Sequence, residues 1–294
     1  YATTRLKCEA IHQSRKEYSV RKMCKALGIL QCSYYQWSRQ EMKRNEKRCR
    51  EEKLVRSVRE VFEEYYRVYG CGKLLFELNN RKVDVNEYKL RRIMRENGLY
   101  AVVCKKFKPY KLGKSDGMFA SNIIQRNFTP FGLNQYWCGD ITYIRTYLGW
   151  VYLAVVLDLC NKEVIGYAIS KNIDTELVKN ALGNAVAIRG LHEGVVFHSD
   201  RGSQYSSKGY KNMLEELKIT SSMSAPGCPY DNAAMESFFA SLKKELIYRK
   251  TYANIDEVRE DVFKYIEIFY NRKRIHSSLG YKTPVAYRLE KFCA

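Results

Sequence analysis

Three carboxylates in this chain stand in settings that would aim them at one point. Asp200 and Glu236 are separated by 35 residues, and Asp140 lies 60 positions before Asp200. Asp140 falls in an alternating pattern typical of a strand, Asp200 ends a short apolar strand, and Glu236 lies near the start of a segment with helical periodicity. Because two strands and a helix can converge, the spacing predicts a carboxylate triad.

A carboxylate triad suits phosphoryl transfer assisted by divalent metal ions. Mg²⁺ prefers oxygen ligands and keeps several waters, so one or two carboxylates per ion leave room for phosphate oxygens. Two ions about 3.5 to 4 Å apart can activate an attacking oxygen and stabilise the leaving oxygen in an in-line displacement. The chain has 32 acidic residues, so a triple at such a spacing also arises by chance. The flanking sequence decides between these explanations.

The flanking sequence carries a family resemblance. Its four segments are WCGDITYI at 137–144, HSDRGSQY at 198–205, GCPYDNAAMESFFASLKKE at 227–245 and YNRKRIHSSLGYKTPVAY at 270–287. In this order they resemble the catalytic core of the OrfB-type transposases of the bacterial IS-three insertion-sequence group, which are relatives of retroviral integrases. The resemblance covers nearly the whole chain.

This resemblance implies an RNase-H-like integrase catalytic core. In it, Asp140, Asp200 and Glu236 are the catalytic residues and the ligands of two Mg²⁺ ions, for which Mn²⁺ can substitute. It also implies a DNA contact from the basic residue seven positions after the Glu, which is Lys243. Seven residues at about 1.5 Å rise make two turns, so Lys243 lies on nearly the same face as Glu236. The alternatives are a solvated Lys243 and, as a rival metal ligand, Asp158 at the end of a predicted core strand.

The charge distribution points to nucleic acid. The net charge is +19, and residues 1–126 hold 30 Lys and Arg against 14 Asp and Glu, whereas residues 127–294 hold 21 against 18. Residues 1–126 are therefore expected to bind double-stranded DNA, and the near-neutral residues 127–294 are expected to contain the catalytic site. A membrane role is not expected, because no long apolar segment or secretory signal is present.

The cysteines and histidines do not predict a metal site of their own. Ten cysteines occur without a CxxC pair and only four histidines are present, so a zinc site is not expected. The cysteines are interpreted as reduced thiols in a bacterial cytoplasm, where the protein would associate with the nucleoid.

A helix-turn-helix is predicted near the start of the chain. Ser19 would cap a helix that ends before Gly28, and Ser33 would cap a second helix. The second helix would enter a major groove, with Tyr34, Gln36 and Arg39 as candidate DNA contacts. A plain helical hairpin is the alternative.

A basic linker is predicted next to the core. Its five lysines alternate with aromatic residues, Pro and Gly, which suits phosphate contact because that needs charge rather than rigid shape. They are Lys105, Lys106, Lys108, Lys111 and Lys114. A merely soluble linker is the alternative.

The element pattern predicts an α/β core preceded by small all-α units. Three consecutive strands, followed by alternating helices and strands, match an RNase-H-like layer. The predicted divisions are a helix-turn-helix unit (1–50), a second helical DNA-binding unit (51–101), the basic linker (102–130), the catalytic core (131–250) and a C-terminal helix with a basic loop (251–294). In that loop, Arg274 is a candidate DNA contact, although Arg274 and His276 could instead hold the loop against the core.

The resulting hypothesis is a DNA transposase that binds the terminal inverted repeats of its element. It would expose 3′-hydroxyls with Mg²⁺ and join them to another phosphodiester, by resemblance through a circular intermediate. The alternatives are an RNase-H-like nuclease without strand transfer and a transposase-derived DNA-binding regulator. A homo-oligomer on DNA is expected. The chain starts at Tyr1 and has no Met before Met23, so it is expected to be either trimmed or the downstream half of a longer product. For the second case, the resemblance implies an upstream-frame OrfA protein as a partner or a fusion.

Overall fold

The computed structural model describes residues 3–102, 132–224 and 232–292. The chain divides into two compact units. Unit 1 comprises Tyr1–Glu64 and Leu74–Leu99, and unit 2 comprises Tyr65–Lys73 and Tyr100–Ala294. The candidate carboxylates and the short segment Tyr65–Lys73 therefore belong to the same unit.

The first helices of unit 1 enclose a small apolar cluster. They are α1 (Thr4–Ser14), α2 (Val20–Leu27) and α3 (Gln31–Glu64). Cys8, Ile11, Cys24 and Tyr34 form the buried cluster between them. The predicted helix before Gly28 is confirmed, and Gly28 ends it with a left-handed φ of 64°. Helix α1 was not anticipated, because its sequence is mostly polar and only its N-cap at Thr3 signals its start.

Helix α3 is longer than the sequence suggested. The pattern indicated a helix up to residue 39, a charged stretch at 40–53 that is either a solvated helix or a linker, and helical periodicity from residue 54; α3 runs unbroken over 34 residues, so the stretch is helical. The charged stretch sustains the helix because its long side chains are good helix formers and pair one turn apart. Examples are Arg44 with Glu41 and Arg50 with Glu46. The division expected at residue 50 thus falls inside a continuous helix.

The remaining helices before the core are short. Helix α4 spans Cys71–Asn80 and α5 spans Glu87–Glu96. Asn86 caps α5 by accepting a hydrogen bond from the Lys89 N–H at 2.8 Å. Within unit 1, buried apolar side chains of α3, α4 and α5 form the second part of the core. They are Leu54, Val58, Val61, Phe62, Leu74, Leu78, Leu90, Ile93 and Met94.

Unit 2 is built on a five-stranded sheet. The strands are β1 (Tyr136–Thr146), β2 (Gly149–Asp158), β3 (Val164–Ser170), β4 (Val196–Ser199) and β5 (Thr220–Met223), in the order β3-β2-β1-β4-β5. The first three strands are antiparallel, whereas β4 and β5 run parallel to β1. The predicted series of three strands followed by alternating helices and strands is confirmed.

Helices cover the sheet and close the chain. They are α6 (Thr175–Arg189), α7 (Ser203–Ser206), α8 (Lys208–Glu216), α9 (Ala233–Glu245), α10 (Ile255–Phe263) and α11 (Pro284–Phe292). A π-helical segment, Lys264–Tyr270, continues α10, so the single helix predicted there is modified over its last turns. Helix α6 lies so close to β3 that a Cβ at Gly166 would be 2.4 Å from the Ala181 carbonyl oxygen. Glycine is therefore required at that crossing.

Candidate active site

The register of the sheet brings the first two carboxylates to the same edge. Strands β1 and β4 pair in parallel, and Gly139 lies opposite Ser199 at the last paired position. Asp140 and Asp200 each follow by one residue. Because parallel strands carry matching residues to the same level, the two aspartates lie side by side at the carboxyl end of β4.

A buried hydrogen bond places the start of α9 beside them. The Cys138 thiol donates to the Asn232 side-chain oxygen at 3.0 Å. Cys138 and Asp140 point to the same face of β1, since side chains alternate along a strand. Asn232 immediately precedes α9, and Glu236 lies about one turn further along the helix. This hydrogen bond holds the first turn of α9, which carries Glu236, beside the part of β1 that carries Asp140, a link that the sequence did not reveal.

The electrostatics of Asp140 reflect the other two carboxylates. Burial, together with the negative charges of Asp200 and then Glu236, raises the pKa of Asp140 to about 8. The Ile141 N–H, which donates to the Asp140 carboxylate at 2.7 Å, and the charge of Lys243 oppose this rise. The structure therefore brings Asp200, Glu236 and Lys243 each within electrostatic reach of Asp140.

The surroundings of Asp200 and Lys243 shift the pKa values of both side chains. Desolvation raises the pKa of Asp200, and the Gly202 N–H, which donates to its carboxylate at 2.9 Å, opposes that shift. Burial lowers the pKa of Lys243, and the charge of Asp140 opposes it. A Cβ at Gly202 would lie 2.9 Å from an Asp200 oxygen, so glycine keeps space beside this carboxylate.

This donor set fits a hard divalent cation. Its ligating atoms are carboxylate oxygens, and their mutual repulsion raises the pKa of Asp140, which a nearby cation would reverse. Within the described ranges, no three His, Cys, Asp or Glu side chains already form a compact ligand cluster. The carboxylates would therefore have to draw closer around a bound ion.

The residues around Asp200 have structural partners. His198 is fully buried and hydrogen-bonds Ser222 at 2.9 Å and Ser224 at 3.2 Å, which ties β4 to β5. The Arg201 side chain donates to the Ser224 carbonyl oxygen at 2.8 Å. These contacts hold the end of β4, so they explain the HSDR segment without assigning it a chemical role.

Asp158, the rival metal ligand, lies elsewhere. Its carboxylate accepts hydrogen bonds from the Asn134 and Cys160 N–H groups, both at 2.9 Å, and its side chain is fully buried. It pairs in register with Trp137, three residues before Asp140, so it lies about 10 Å along the sheet and on the opposite face. The structure therefore does not bring Asp158 to the other carboxylates.

Arg274 is engaged within unit 2. Its guanidinium forms a bidentate ion pair with Glu245, the closest N···O distance being 2.7 Å, and both side chains are only 11% exposed. His276 lies beside it, and burial together with the charges of Arg274 and Lys73 lowers the pKa of His276 to about 2. These contacts favour the alternative in which the two residues hold their loop against the core. Glu245 was not singled out from the sequence.

The three candidates on α3 differ in exposure. Tyr34 is 2% exposed and belongs to the apolar cluster of unit 1, so the expectation that its side chain contacts DNA is wrong. The helical period places Tyr34 on the inward face, whereas Gln36 and Arg39 are exposed and line a shallow cleft together with Tyr35. The five lysines of the predicted linker, from Lys105 to Lys114, lie outside the described residues.

Family models match both the helical region before the core and the core itself. A model described as "Integrase core domain" matches residues 132–229, and a second model with the same description matches residues 217–284. A model described as "HTH-like domain" matches residues 49–107. This match covers the predicted second helical unit (51–101) and overlaps residues 1–50 only at 49 and 50.

Comparison with curated proteins extends over almost the full chain. It is 35% identical over 274 residues to the transposase InsF for insertion sequence IS3A of Escherichia coli strain K12, which covers 93% of this chain and 95% of that protein. The chain belongs to the IS3 family of transposases. Another relative, the IS600 uncharacterized 31 kDa protein of Shigella sonnei, is 34% identical over 270 residues, covering 92% and 98% of the two chains. This IS3-family transposase is therefore a DDE polynucleotidyl transferase with an integrase core.

Solved structures with lower similarity include retroviral proteins. A simian T-cell lymphotropic virus intasome matches with a TM-score of 0.44 and 18% identity, over 76% of this chain and 71% of that chain. The HTLV-2 integrase catalytic core in complex with magnesium matches with a TM-score of 0.41 and 16% identity, over 52% and 95%. No helix within the described parts of the transposase is long and apolar enough to span a membrane.

Proposed function

We propose that this transposase binds the terminal inverted repeats of its element, cuts to expose 3′-hydroxyls and joins them to a second phosphodiester. Asp140, Asp200 and Glu236 carry this chemistry. The observation that supports it is that Asp140, beside Asp200 at one edge of the sheet, lies within reach of the negative charges of both Asp200 and Glu236. A DNA-binding regulator would have no use for such a costly group of like charges.

The three carboxylates would hold two Mg²⁺ ions, with Mn²⁺ as a substitute. When bound, such ions activate the attacking oxygen and stabilise the leaving oxygen. The chain's own residues set up this reaction. Asp140 and Asp200 stand at adjacent strand ends, and Gly202 holds Asp200 by a hydrogen bond. Lys243, two turns along α9 from Glu236, is placed to contact the phosphate backbone beside them.

DNA binding is divided among several segments. The HTH-like region at 49–107 and the exposed Gln36 and Arg39 contact the repeat, and the five lysines of the linker contact phosphates. The transposase acts as a homo-oligomer on its two DNA ends, with an upstream-frame OrfA protein as a partner or fusion. Cutting without joining would correspond to the alternative function of a nuclease.

A strand-joining assay tests this function. Duplex oligonucleotides carrying the inverted repeats that flank the gene are incubated with the full chain, and joined products are separated on denaturing gels. Joining is expected with Mg²⁺ or Mn²⁺ and is expected to stop with EDTA, while Ca²⁺ should support binding only. Activity that persists undiminished in EDTA would contradict the metal mechanism.

Variants make the assay specific to the site. Asp140→Asn, Asp200→Asn and Glu236→Gln should each abolish cutting and joining and leave DNA binding nearly intact. Glu215→Gln, an exposed change on α8, is the matched control and should remain fully active. Full activity in any of the first three variants would remove that residue from the proposal, and products that are cut but never joined would support the nuclease.

A further inference from the structure

Unit 2 contains a cavity on the side of α9 away from Glu236. Its volume is about 290 Å³, and its lining includes Lys73, Ser237, Ser241 and Arg274. At about 100° per residue, Ser237 and Ser241 lie roughly 100° and 140° around the helix from Glu236. The cavity is therefore separate from the carboxylates, although one helix serves both.

The cavity is electrically positive. Lys73 lines it together with Arg274, whose charge is matched by Glu245, and Lys162, which lies within reach of the negative charge of Asp158. Burial and the charge of Arg274 lower the pKa of Lys73 to about 8, against an opposing effect of Glu245. His276 lines the same cavity and is neutral at physiological pH, since its pKa is about 2. Partly buried cations are costly, and an anion in the cavity would offset that cost.

The position of Lys73 is well defined. Its ammonium lies 5.4 Å from the centre of the Tyr69 ring, a cation–π contact. The Tyr69 hydroxyl donates to the Lys273 carbonyl oxygen at 3.2 Å and accepts from the Ile275 N–H at 2.9 Å. Segment 65–73 is thus attached to the loop that carries Arg274, and it presents Lys73 to the cavity.

The other lining groups suit a phosphate attached to a larger molecule. Serine hydroxyls supply neutral hydrogen-bond donors, and the Tyr270 and Phe238 rings form an apolar wall. The hydroxyls belong to Ser237, Ser241, Ser277 and Ser278. The cavity is also much larger than a single phosphate, so it has room for part of an attached sugar.

A DNA strand could reach both places across α9. Glu236, Ser237 and Ala240 form the exposed strip of this helix between the carboxylates and the cavity. Ser237 and Ala240 are small, so a sugar-phosphate backbone can lie against the helix there. The helix is about 10–12 Å wide with its side chains, which brings the cavity within reach of a phosphate near the one at the carboxylates.

We propose that this cavity binds a backbone phosphate of the same DNA strand whose reacting phosphate lies at Asp140, Asp200 and Glu236. Lys73 and the serine hydroxyls contact that phosphate, and the contact positions the strand for reaction. The identification of the strand rests on the proposed function, whereas the binding of a phosphate to the cavity does not.

Neutral phosphate analogues can test the contact without catalysis. Each phosphate near the cleavage point of the repeat duplex is replaced in turn by a methylphosphonate, and affinity is measured by fluorescence anisotropy in EDTA. One position should weaken binding of the wild-type chain by roughly tenfold, as expected for loss of a charge-assisted contact. In Lys73→Gln, overall binding should be weaker by a similar factor, and that methylphosphonate should have no further effect.

Two control variants distinguish loss of the phosphate contact from a general effect of substitution on folding. Lys73→Arg retains the charge and should keep the methylphosphonate effect. Lys218→Gln, an exposed lysine before β5 at the opposite end of the sheet from Asp200, should behave as the wild type. A methylphosphonate effect of undiminished size in Lys73→Gln would overturn the proposal, and so would the absence of any sensitive position near the cleavage point in the wild type.

Inorganic phosphate separates the two possible sources of the ligand. The melting temperature of each variant is measured in phosphate and in chloride at equal ionic strength. Stabilisation by phosphate in the wild type and Lys218→Gln but not in Lys73→Gln, together with the DNA result above, supports the proposal. Phosphate stabilisation without a sensitive DNA position would show a site for free phosphate and contradict the DNA contact. Because neither measurement needs catalysis, a failed joining assay would not affect the outcome.

Discussion

At the scale of single residues, Gly139 determines how closely β1 can approach its neighbour. A Cβ at this position would lie 2.3 Å from Phe197 Cζ, and Phe197 is buried against Tyr205 and Tyr210. We expect Gly139→Ala to lower the free energy of unfolding by about 1–3 kcal/mol, measured by urea denaturation. Because Asp140 is the next residue, joining should also fall roughly 10- to 100-fold under conditions where the variant is folded.

A second glycine provides the control for this prediction. Gly183 lies inside α6, and a Cβ there would be 3.9 Å from Met213 Cε, an ordinary contact. Gly183→Ala should therefore stabilise the protein by about 0.5–1 kcal/mol, because alanine favours the helix, and joining should be unchanged. If Gly139→Ala also left stability and joining undiminished, the space between β1 and Phe197 would not require glycine at position 139.

Two glutamates on α9 allow stability and catalysis to be separated. Glu245→Gln removes the charge that is paired with the buried Arg274, and we expect a loss of about 3–5 kcal/mol in the free energy of unfolding. Glu236 is exposed, so Glu236→Gln should change stability by no more than about 0.5 kcal/mol, yet abolish joining. Urea denaturation and the joining assay on both variants would check this. Equal stabilities would show that the Glu245–Arg274 pair contributes little.

At the scale of elements, α3 presents one face to the apolar cluster and another to solvent. Tyr34→Ala should destabilise unit 1 by about 3–5 kcal/mol, since it empties a buried aromatic position. Gln36→Ala and Arg39→Ala should leave the melting temperature unchanged and reduce the difference in affinity between repeat and random DNA. Arg48→Ala, further along α3, is the control and should leave that difference intact. If the Gln36 and Arg39 variants kept the full difference in affinity between repeat and random DNA, the first helices would be a structural hairpin without a role in DNA recognition.

At the scale of the whole molecule, most of the net charge lies before residue 127. We expect that replacing the five linker lysines, Lys105, Lys106, Lys108, Lys111 and Lys114, with Gln lowers affinity equally for repeat and random DNA. Each lost phosphate contact should reduce the slope of log affinity against log salt by about 0.9. Anisotropy titrations over a range of salt concentrations would measure this slope. As a control, Gln at Lys208, Lys211 and Lys218 should leave it nearly unchanged, and an unchanged slope in the linker variant would exclude the linker from DNA contact.

Much of the architecture follows from local pattern. The helix that Ser19 precedes and Gly28 ends is predicted with the observed boundaries of α2, and alternation predicts the order of strands around Asp140 and Asp200. Local pattern left other elements open. The composition of the charged part of α3 is compatible with a solvated helix or a linker, and pairs of opposite charge one turn apart keep it helical.

The sequence alone determined the family of the transposase and the three carboxylates expected to do its chemistry, because residue type and spacing carry that information. The tertiary structure decided which polar side chains are held by other residues and which remain available to contact DNA. Arg274 lies in a basic loop, but it pairs with Glu245, 29 residues earlier. Lys73 lies in the first turn of α4, far before the core in sequence, yet it lines the cavity beside Arg274. Periodicity indicates which face of an element a residue occupies. It does not indicate which distant side chain meets that face, since this depends on how the elements pack together.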